Sequence, residues 1–192
     1  MLKRLKEPKK LIIAIAVVFL FLIIPAASLA QDAIGSRIEI EKIDGTAYVV
    51  KKGKKIDAKK GVKLSASESI QTAAASYVYI SLDDTKVIKI DELSQVNIEK
   101  KGKKLKIVVE EGSIFFNVTE KLADDESMSI EASTMAMSIR GTAGIVSLRR
   151  INDEVNSTLT LLDGQVNVTY SDMSGADAEF ILWGGEQVIH NE

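Results

Sequence analysis

The sequence predicts an all-β protein, either a β-solenoid or a two-sheeted, sandwich-like domain, that follows an N-terminal signal or anchor helix. Apolar and polar residues alternate with a period of two after Gln31, which is the period of a β-strand. No stretch beyond that residue keeps a helical period for as many as twelve residues. Both prolines lie before Gln31, so Gly, Asp and Asn have to make the turns.

The first thirty residues have the pattern of an export signal. Residues 1–10 carry five basic residues and one acidic residue, residues 11–24 are all apolar, and small residues stand at Ser28 and Ala30. This pattern predicts a signal peptide that is cleaved between Ala30 and Gln31.

An uncleaved membrane anchor remains an alternative, because residues 11–30 together number twenty. In both cases the positive flank keeps the N-terminus inside and exports residues 31–192. We therefore expect a periplasmic, secreted or membrane-anchored protein whose domains are residues 1–30 and residues 31–192.

The rest of the chain divides into short strands. The expected number is roughly 12–15. The inward-facing residues are taken to be Ile38/Ile40, Ala47/Val49, Val78/Ile80/Leu82, Ile88/Ile90, Val96/Ile98, Leu105/Ile107/Val109, Ile114/Phe116/Val118, Met128/Ile130/Ala132, Val146/Leu148, Val166/Val168/Tyr170, Phe180/Leu182 and Val188. One helical turn is the alternative for residues 67–75.

Two kinds of turn recur. An acidic residue followed by Gly opens a strand at Asp44-Gly45, Glu111-Gly112 and Asp163-Gly164. The pentapeptide Lys-Lys-Gly-Lys-Lys occurs at residues 51–55 and again at 100–104, and both copies are predicted to be hairpin tips.

Charge is distributed unevenly along the exported part. Residues 31–106 carry 16 basic and 11 acidic residues, a net charge of +5. Residues 107–192 carry 4 basic and 15 acidic residues, a net charge of −11. If the strands stack in chain order, the domain is electrically polarised along its length.

Composition argues against catalysis. There is no cysteine, which excludes disulfides and thiolate chemistry, and His190 is the only histidine. No nucleophile with a base partner is recognisable, so we expect a non-enzymatic protein without a cofactor. The acidic loop at residues 124–126 lacks the ligand spacing of a known calcium loop, and no metal site is expected. Nucleic acid is an improbable partner for an exported domain of net negative charge.

Six segments, taken in order, resemble the FecR domain family. The Ser138–Val146 segment contains the family's Arg-Gly-Thr pattern, and Glu68 stands where the family usually has Asp. The carrying segments are residues 45–53, 61–64 with 68–72, 76–85, 93–98, 111–118 and 138–146, within a match over about residues 44–170. The resemblance implies an extracytoplasmic β domain and, in signalling members, a relay to an anti-sigma segment.

The chain departs from the signalling members of that family. Those regulators carry a cytoplasmic sigma-factor-binding domain before their membrane helix and a receptor-contacting lobe after the β domain. Only ten residues precede the apolar segment here, and the sequence ends at Glu192. We therefore expect a stand-alone FecR-like module.

The candidate partner-binding residues are basic. They are Lys51, Lys52, Lys54, Lys55, Lys100, Lys101, Lys103, Lys104 and Arg140. The lysines either form one cationic surface for an anionic partner or are ordinary solvated turns that protect strand edges. Arg140 either contacts a ligand or belongs to a structural corner.

Aromatic residues give two further expectations. Tyr77, Tyr79 and Phe115 face away from their aliphatic neighbours, so they form an exposed stripe or lie under another layer. Trp183 is expected to cap the end of the core.

The predicted function is that of a module that binds or scaffolds an envelope partner, either a protein or a cell-wall polysaccharide. The alternative is a truncated transmembrane signalling relay that holds a separate membrane regulator by β-strand addition. An uncleaved segment 11–30 would provide membrane association.

Overall fold

A computed structural model describes residues 37–65, 68–152, 154–171 and 177–191, and these residues form fifteen β-strands. The all-β prediction is therefore confirmed. The predicted cleavage between Ala30 and Gln31 and the predicted membrane association of residues 11–30 lie outside the described residues. Within the described ranges, no helix has the length and apolarity needed to cross a bilayer.

The strands are short except for the eighth. The first seven are β1 (Glu39–Asp44), β2 (Ala47–Lys51), β3 (Lys54–Asp57), β4 (Glu68–Thr72), β5 (Tyr77–Asp83), β6 (Lys86–Ile90) and β7 (Gln95–Lys101). The remaining strands are β8 (Lys104–Val118), β9 (Ser127–Ala132), β10 (Met135–Ile139), β11 (Ala143–Ile151), β12 (Glu154–Asp163), β13 (Gln165–Ser171), β14 (Asp177–Trp183) and β15 (Gln187–Asn191).

These strands make two sheets that share β8. Sheet A has the order β1-β5-β6-β8-β11-β12-β15. Sheet B has the order β3-β2-β4-β7-β8-β9-β10-β13-β14. All neighbouring strands are antiparallel except β8 and β9, which are parallel. Of the two architectures that the sequence left open, the structure has the two-sheeted one.

Strand β8 passes from one sheet to the other at Gly112. Its first part, Lys104–Glu111, pairs with β7 and β9 in sheet B, and its second part pairs with β6 and β11 in sheet A. Gly112 has φ +85°, and a Cβ atom there would lie 2.6 Å from the Cα of Ser94. Only glycine allows the backbone to bend here at such close approach.

The crossings between the sheets change ends midway through the chain. We call the end where β8 bends the bend end and the opposite end the tip end. From β1 to β8 the crossings lie at the bend end, at residues 44–46, 73–76, 91–94 and 111–113, and the hairpin turns lie at the tip end. From the end of β8 onwards the crossings lie at the tip end, at residues 119–126, 140–142, 163–164 and 184–185. All three predicted acid-Gly turns are crossings.

The core fills the space between the sheets. Inward-facing residues of both sheets form one apolar cluster, in which Ile80, Phe116 and Leu159 of sheet A and Ile107 and Ile130 of sheet B are fully buried. These residues alternate with outward-facing ones along the strands, as the period of two predicted.

The helical turn suggested for residues 67–75 is wrong over the described part. Residues 68–72 are strand β4, in which Glu68, Ile70 and Thr72 are buried in alternation. Tertiary burial decides the conformation of such a short segment, because its own propensity is weak.

An ion pair is buried at the β5–β6 hairpin. Lys86 Nζ donates to Asp83 Oδ2 at 2.8 Å, and the two side chains are only 7% and 4% exposed. The backbone N–H of Thr85 donates to the other carboxylate oxygen at 2.9 Å. Burial alone would raise the pKa of Asp83, but these hydrogen bonds outweigh it and hold that pKa below its ordinary value of 3.8. Asp84, the next residue, is exposed.

This pair predicts a specific acid sensitivity. Because the pKa of Asp83 is lower in the folded chain, its stabilising contribution is complete above about pH 4 and declines as the pH falls through the folded pKa. In Asp83→Asn, urea midpoints measured between about pH 5 and about pH 2 should therefore fall less steeply than in the parent. Asp84→Asn is the matched control and should keep the parental slope. Equal slopes in Asp83→Asn and the parent would contradict the assignment.

The bend in β8 predicts a glycine requirement. Gly112→Ala should lower the free energy of unfolding by at least about 2 kcal/mol, because it adds steric overlap to the strain of a positive φ. Gly102→Ala is the control: its φ is +60°, but no atom lies within 4 Å of its Cβ position. That change should cost only about 1 kcal/mol in urea denaturation followed by circular dichroism. Equal losses in the two variants would show that the contact with Ser94 is unimportant.

Candidate functional site

A groove opens on the outer face of sheet B at the tip end. Its volume is about 770 Å³. Three crossings of the second half of the chain surround it, and its lining includes Lys121, Ser138, Arg140, Gln165, Asn167 and Trp183. We call this the tip groove.

The floor of the tip groove is made of strand residues with small or amide side chains. Ser138 of β10 is opposite Asn167 of β13, and Asn167 is opposite Ile181 of β14. Gln165 is opposite Trp183 in the adjacent row. Since neighbouring strands hold these positions in register, the floor is a rigid surface with hydrogen-bonding groups.

Trp183 forms one wall of the tip groove. The side chain is 54% exposed, whereas Leu182 beside it is buried. The backbone N–H of Trp183 donates to Glu186 Oε2 at 2.8 Å, which secures the turn that follows. The expectation that Trp183 caps the core is therefore wrong. The strand period already places it opposite in phase to Leu182, and hence on the outer face.

Two cations stand at the mouth of the tip groove. Arg140 lies in the crossing from β10 to β11, and its guanidinium is 3.2 Å from Asp124 Oδ1. Both side chains are exposed, at 62% and 99%, so this pair is weak and can be exchanged for a ligand. Lys121 reaches the same place across Gly141, whose missing side chain leaves room for it. The Arg-Gly-Thr segment is thus both a structural corner and part of the groove.

This set of groups can hold a polar, negatively charged molecule. Trp183 offers a flat apolar surface, Gln165 and Asn167 offer amide donors and acceptors, and Arg140 and Lys121 offer positive charge. Together these groups suit the binding of such a molecule.

The two lysine hairpins lie at the same end of sheet B. The β2–β3 turn and the β7–β8 turn both point to the tip end and are separated by β4. Lys52, Lys54, Lys55, Lys101 and Lys104 are exposed.

Part of this positive charge is already used inside the domain. Lys51 donates to the buried carboxylate of Glu68 at 2.6 Å, and Lys103 pairs with Asp125 at 2.5 Å. Lys55 lies over the ring of Tyr48. Lys100 is half-buried. The hairpins therefore do not form a uniformly free cationic surface.

The acidic loop at residues 124–126 serves as a partner for these cations. Asp124 faces Arg140, Asp125 faces Lys103, and Glu126 accepts the backbone N–H of Ala123. In the described parts of the chain, no three His, Asp or Glu side chains converge in a way that could hold a metal ion.

His190 and the predicted aromatic stripe lie on or near sheet A. His190 Nε2 is 3.1 Å from Thr134 Oγ1, and its ring lies tilted against Tyr170 with the ring centroids 4.7 Å apart. Tyr77, Tyr79 and Phe115 lie half-buried on the outer face of sheet A. Lys89 covers Tyr77 and Lys42 covers Tyr79, so lysine side chains shield this stripe.

Comparison with known proteins gives a family match. The model of the FecR protein family matches residues 68–167, which is more than half of the chain. This range contains the buried ion pair, the bend in β8 and the Arg140 corner. No curated protein matches the chain significantly.

Solved structures give a weaker likeness. Two crystal structures of a candidate anti-sigma factor from Parabacteroides distasonis ATCC 8503, at 1.65 and 2.50 Å resolution, each have 17% sequence identity and a TM-score of 0.47. Each match covers 65% of this chain and 59% of the other, so the chain spans under two thirds of those structures.

Proposed function

Since this chain belongs to the FecR protein family, we propose that its β domain is a non-catalytic binding module of the cell envelope, with the tip groove as its binding site. The observation that carries the proposal is the joint placement of an exposed tryptophan, two amides and two cations around one groove. Single exposed apolar residues are common on surfaces, but an aromatic ring among convergent polar groups is typical of ligand sites.

The groove favours an anionic glycan over a protein surface. Its lining is polar apart from Trp183, whose ring has the size of a sugar ring, and exposed Ile181 lies beside Asn167 at its margin. A protein interface of ordinary stability would need a larger apolar centre. Arg140 and Lys121 would select acidic groups, which are carboxylates or phosphates on a wall polymer.

The test is titration calorimetry of the full chain with three probes. These are an oligogalacturonate with carboxylates, a poly(glycerol phosphate) with phosphates, and a neutral oligogalactan. We expect an anionic probe to bind and the neutral one not to. Trp183→Ala and Arg140→Gln should each weaken that binding about tenfold, as expected when a central aromatic or arginine contact is lost.

Matched controls lie on the other sheet. Ile189→Ala removes an exposed apolar side chain from β15, and Arg149→Gln removes an exposed cation from β11. Neither should change the affinity. If none of the probes binds, or if the control variants weaken binding as much as Trp183→Ala, the tip groove is not the glycan site.

A signalling relay is the second candidate function, and one observation favours it. Strand β14 hydrogen-bonds only to β13 among the described strands, so its other edge is open to strand addition. A separate membrane regulator held in this way would be lost when proline replaces a β14 residue whose backbone N–H points away from β13, whereas glycan binding in the groove would depend on Trp183.

A further inference from the structure

The domain has two open sides, one at each end of the strand order. We call the side formed by β3 and residues 58–65 the first side, and the side formed by β14 and β15 the last side. Strand β3 pairs only with β2, β14 only with β13 and β15 only with β12 among the described strands. Residues 62–64 add to the edge of β1 through bonds such as Ile40 N–H to the Val62 carbonyl.

The two sides carry opposite charges. Residues 45–64 contain seven lysines and one acidic residue, whereas residues 151–192 contain eight acidic residues and no lysine or arginine. Lys54, Lys55, Lys59 and Lys60 are exposed on the first side, and Asp177, Glu179 and Glu186 are exposed on the last side. The charge asymmetry seen along the sequence is therefore an asymmetry between two surfaces.

The apolar core reaches the surface at both sides. Ala58 and Val62 on the first side, and Phe180 and Val188 on the last side, are only partly buried where they pack on the core. Ile56 on the first side and Ile181 and Ile189 on the last side are exposed. Each side thus combines an apolar strip with a free backbone edge.

One row of residues connects the two edges of sheet B. Pairing runs through every strand from Lys55 to Glu179, by way of Val50, Ser69, Asn97, Val108, Glu131, Ala136 and Thr169. Seven of the eight strand pairs along this row are antiparallel and one is parallel, so β3 and β14 run in opposite directions. A second copy placed beside the first without rotation would bring Lys55 opposite Glu179 in an antiparallel ladder.

We propose that this protein associates with itself head to tail, with the last side of one copy docked on the first side of the next. Strand β14 pairs with β3 of the following copy, so sheet B continues from one molecule to the next. Lysines on an edge strand discourage pairing with chance strands, but an acidic partner strand offers them opposite charges. Such a heterologous contact leaves one free side at each end, so the copies form chains.

The alternative two-fold dimer is disfavoured by charge. Pairing β14 with β14 would bring the acidic residues Asp177 and Glu179 of two copies together, and pairing β3 with β3 would bring lysines together. Like charges opposite each other destabilise a strand pair. Only the head-to-tail arrangement joins unlike sides.

The test is sedimentation velocity of the full chain over a range of concentrations, in dilute non-ionic detergent because residues 11–24 are apolar. We expect association that strengthens with concentration and weakens with added salt. Lys55→Glu and Glu179→Lys should each weaken association at least about fivefold, because each places like charges at the contact. Mixing the two variants should restore it, since both kinds of contact between unlike variants join opposite charges, and the copies can therefore alternate along the chain.

Glu111→Lys is the control, because it makes the same charge change at an exposed residue of the shared central strand β8, away from both open sides. This variant should associate as the parent does. A chain that remains monomeric at every concentration overturns the proposal. A dimer that is insensitive to Lys55→Glu also overturns it, because a β14–β14 dimer does not use Lys55. Failure here leaves glycan binding in the tip groove untouched, since Lys55 and Glu179 do not line it.

Discussion

The fold depends on close backbone contact where the chain crosses between the sheets. At the bend end the crossings are bonded to one another through serine and threonine side chains. Thr46 N–H donates to Ser76 Oγ at 2.9 Å, and Ser113 N–H donates to Ser94 Oγ at 3.0 Å. In both cases the donor is the residue after a glycine of positive φ, so the glycine brings the backbone to the serine of a neighbouring crossing. Ser94 N–H is held in turn by Thr72 Oγ1 at 2.9 Å.

These bonded crossings explain how a long strand can belong to two sheets. A buried backbone N–H without a partner is costly, and a bend interrupts the regular ladder. The hydroxyl of Ser94 compensates for that interruption at Gly112 and is itself buried. The bend at Gly112 therefore sets the register of both sheets, and with it the register of the row from Lys55 to Glu179.

Much of the fold follows from the sequence, because its period of two divides inward from outward residues in nearly every strand. The tip groove could not be found that way. Its residues come from β10, β13, β14 and the segment before β9, and no local pattern brings them together. The pairs Lys103–Asp125 and Arg140–Asp124 likewise join distant segments. Trp183 had the correct phase for the outer face, but its size suggested the core.

The hairpins of the first half of the chain lie at the tip end, and those of the second half lie at the bend end. Hairpin loops that change in length therefore project from opposite ends of the domain. A longer hairpin in the first half would extend beside the tip groove, whereas a longer β9–β10 or β11–β12 hairpin would extend from the opposite end. Insertions of either kind leave the shared strand and its serine contacts unchanged. Relatives of this protein can thus acquire new recognition loops at one pole without disturbing the other.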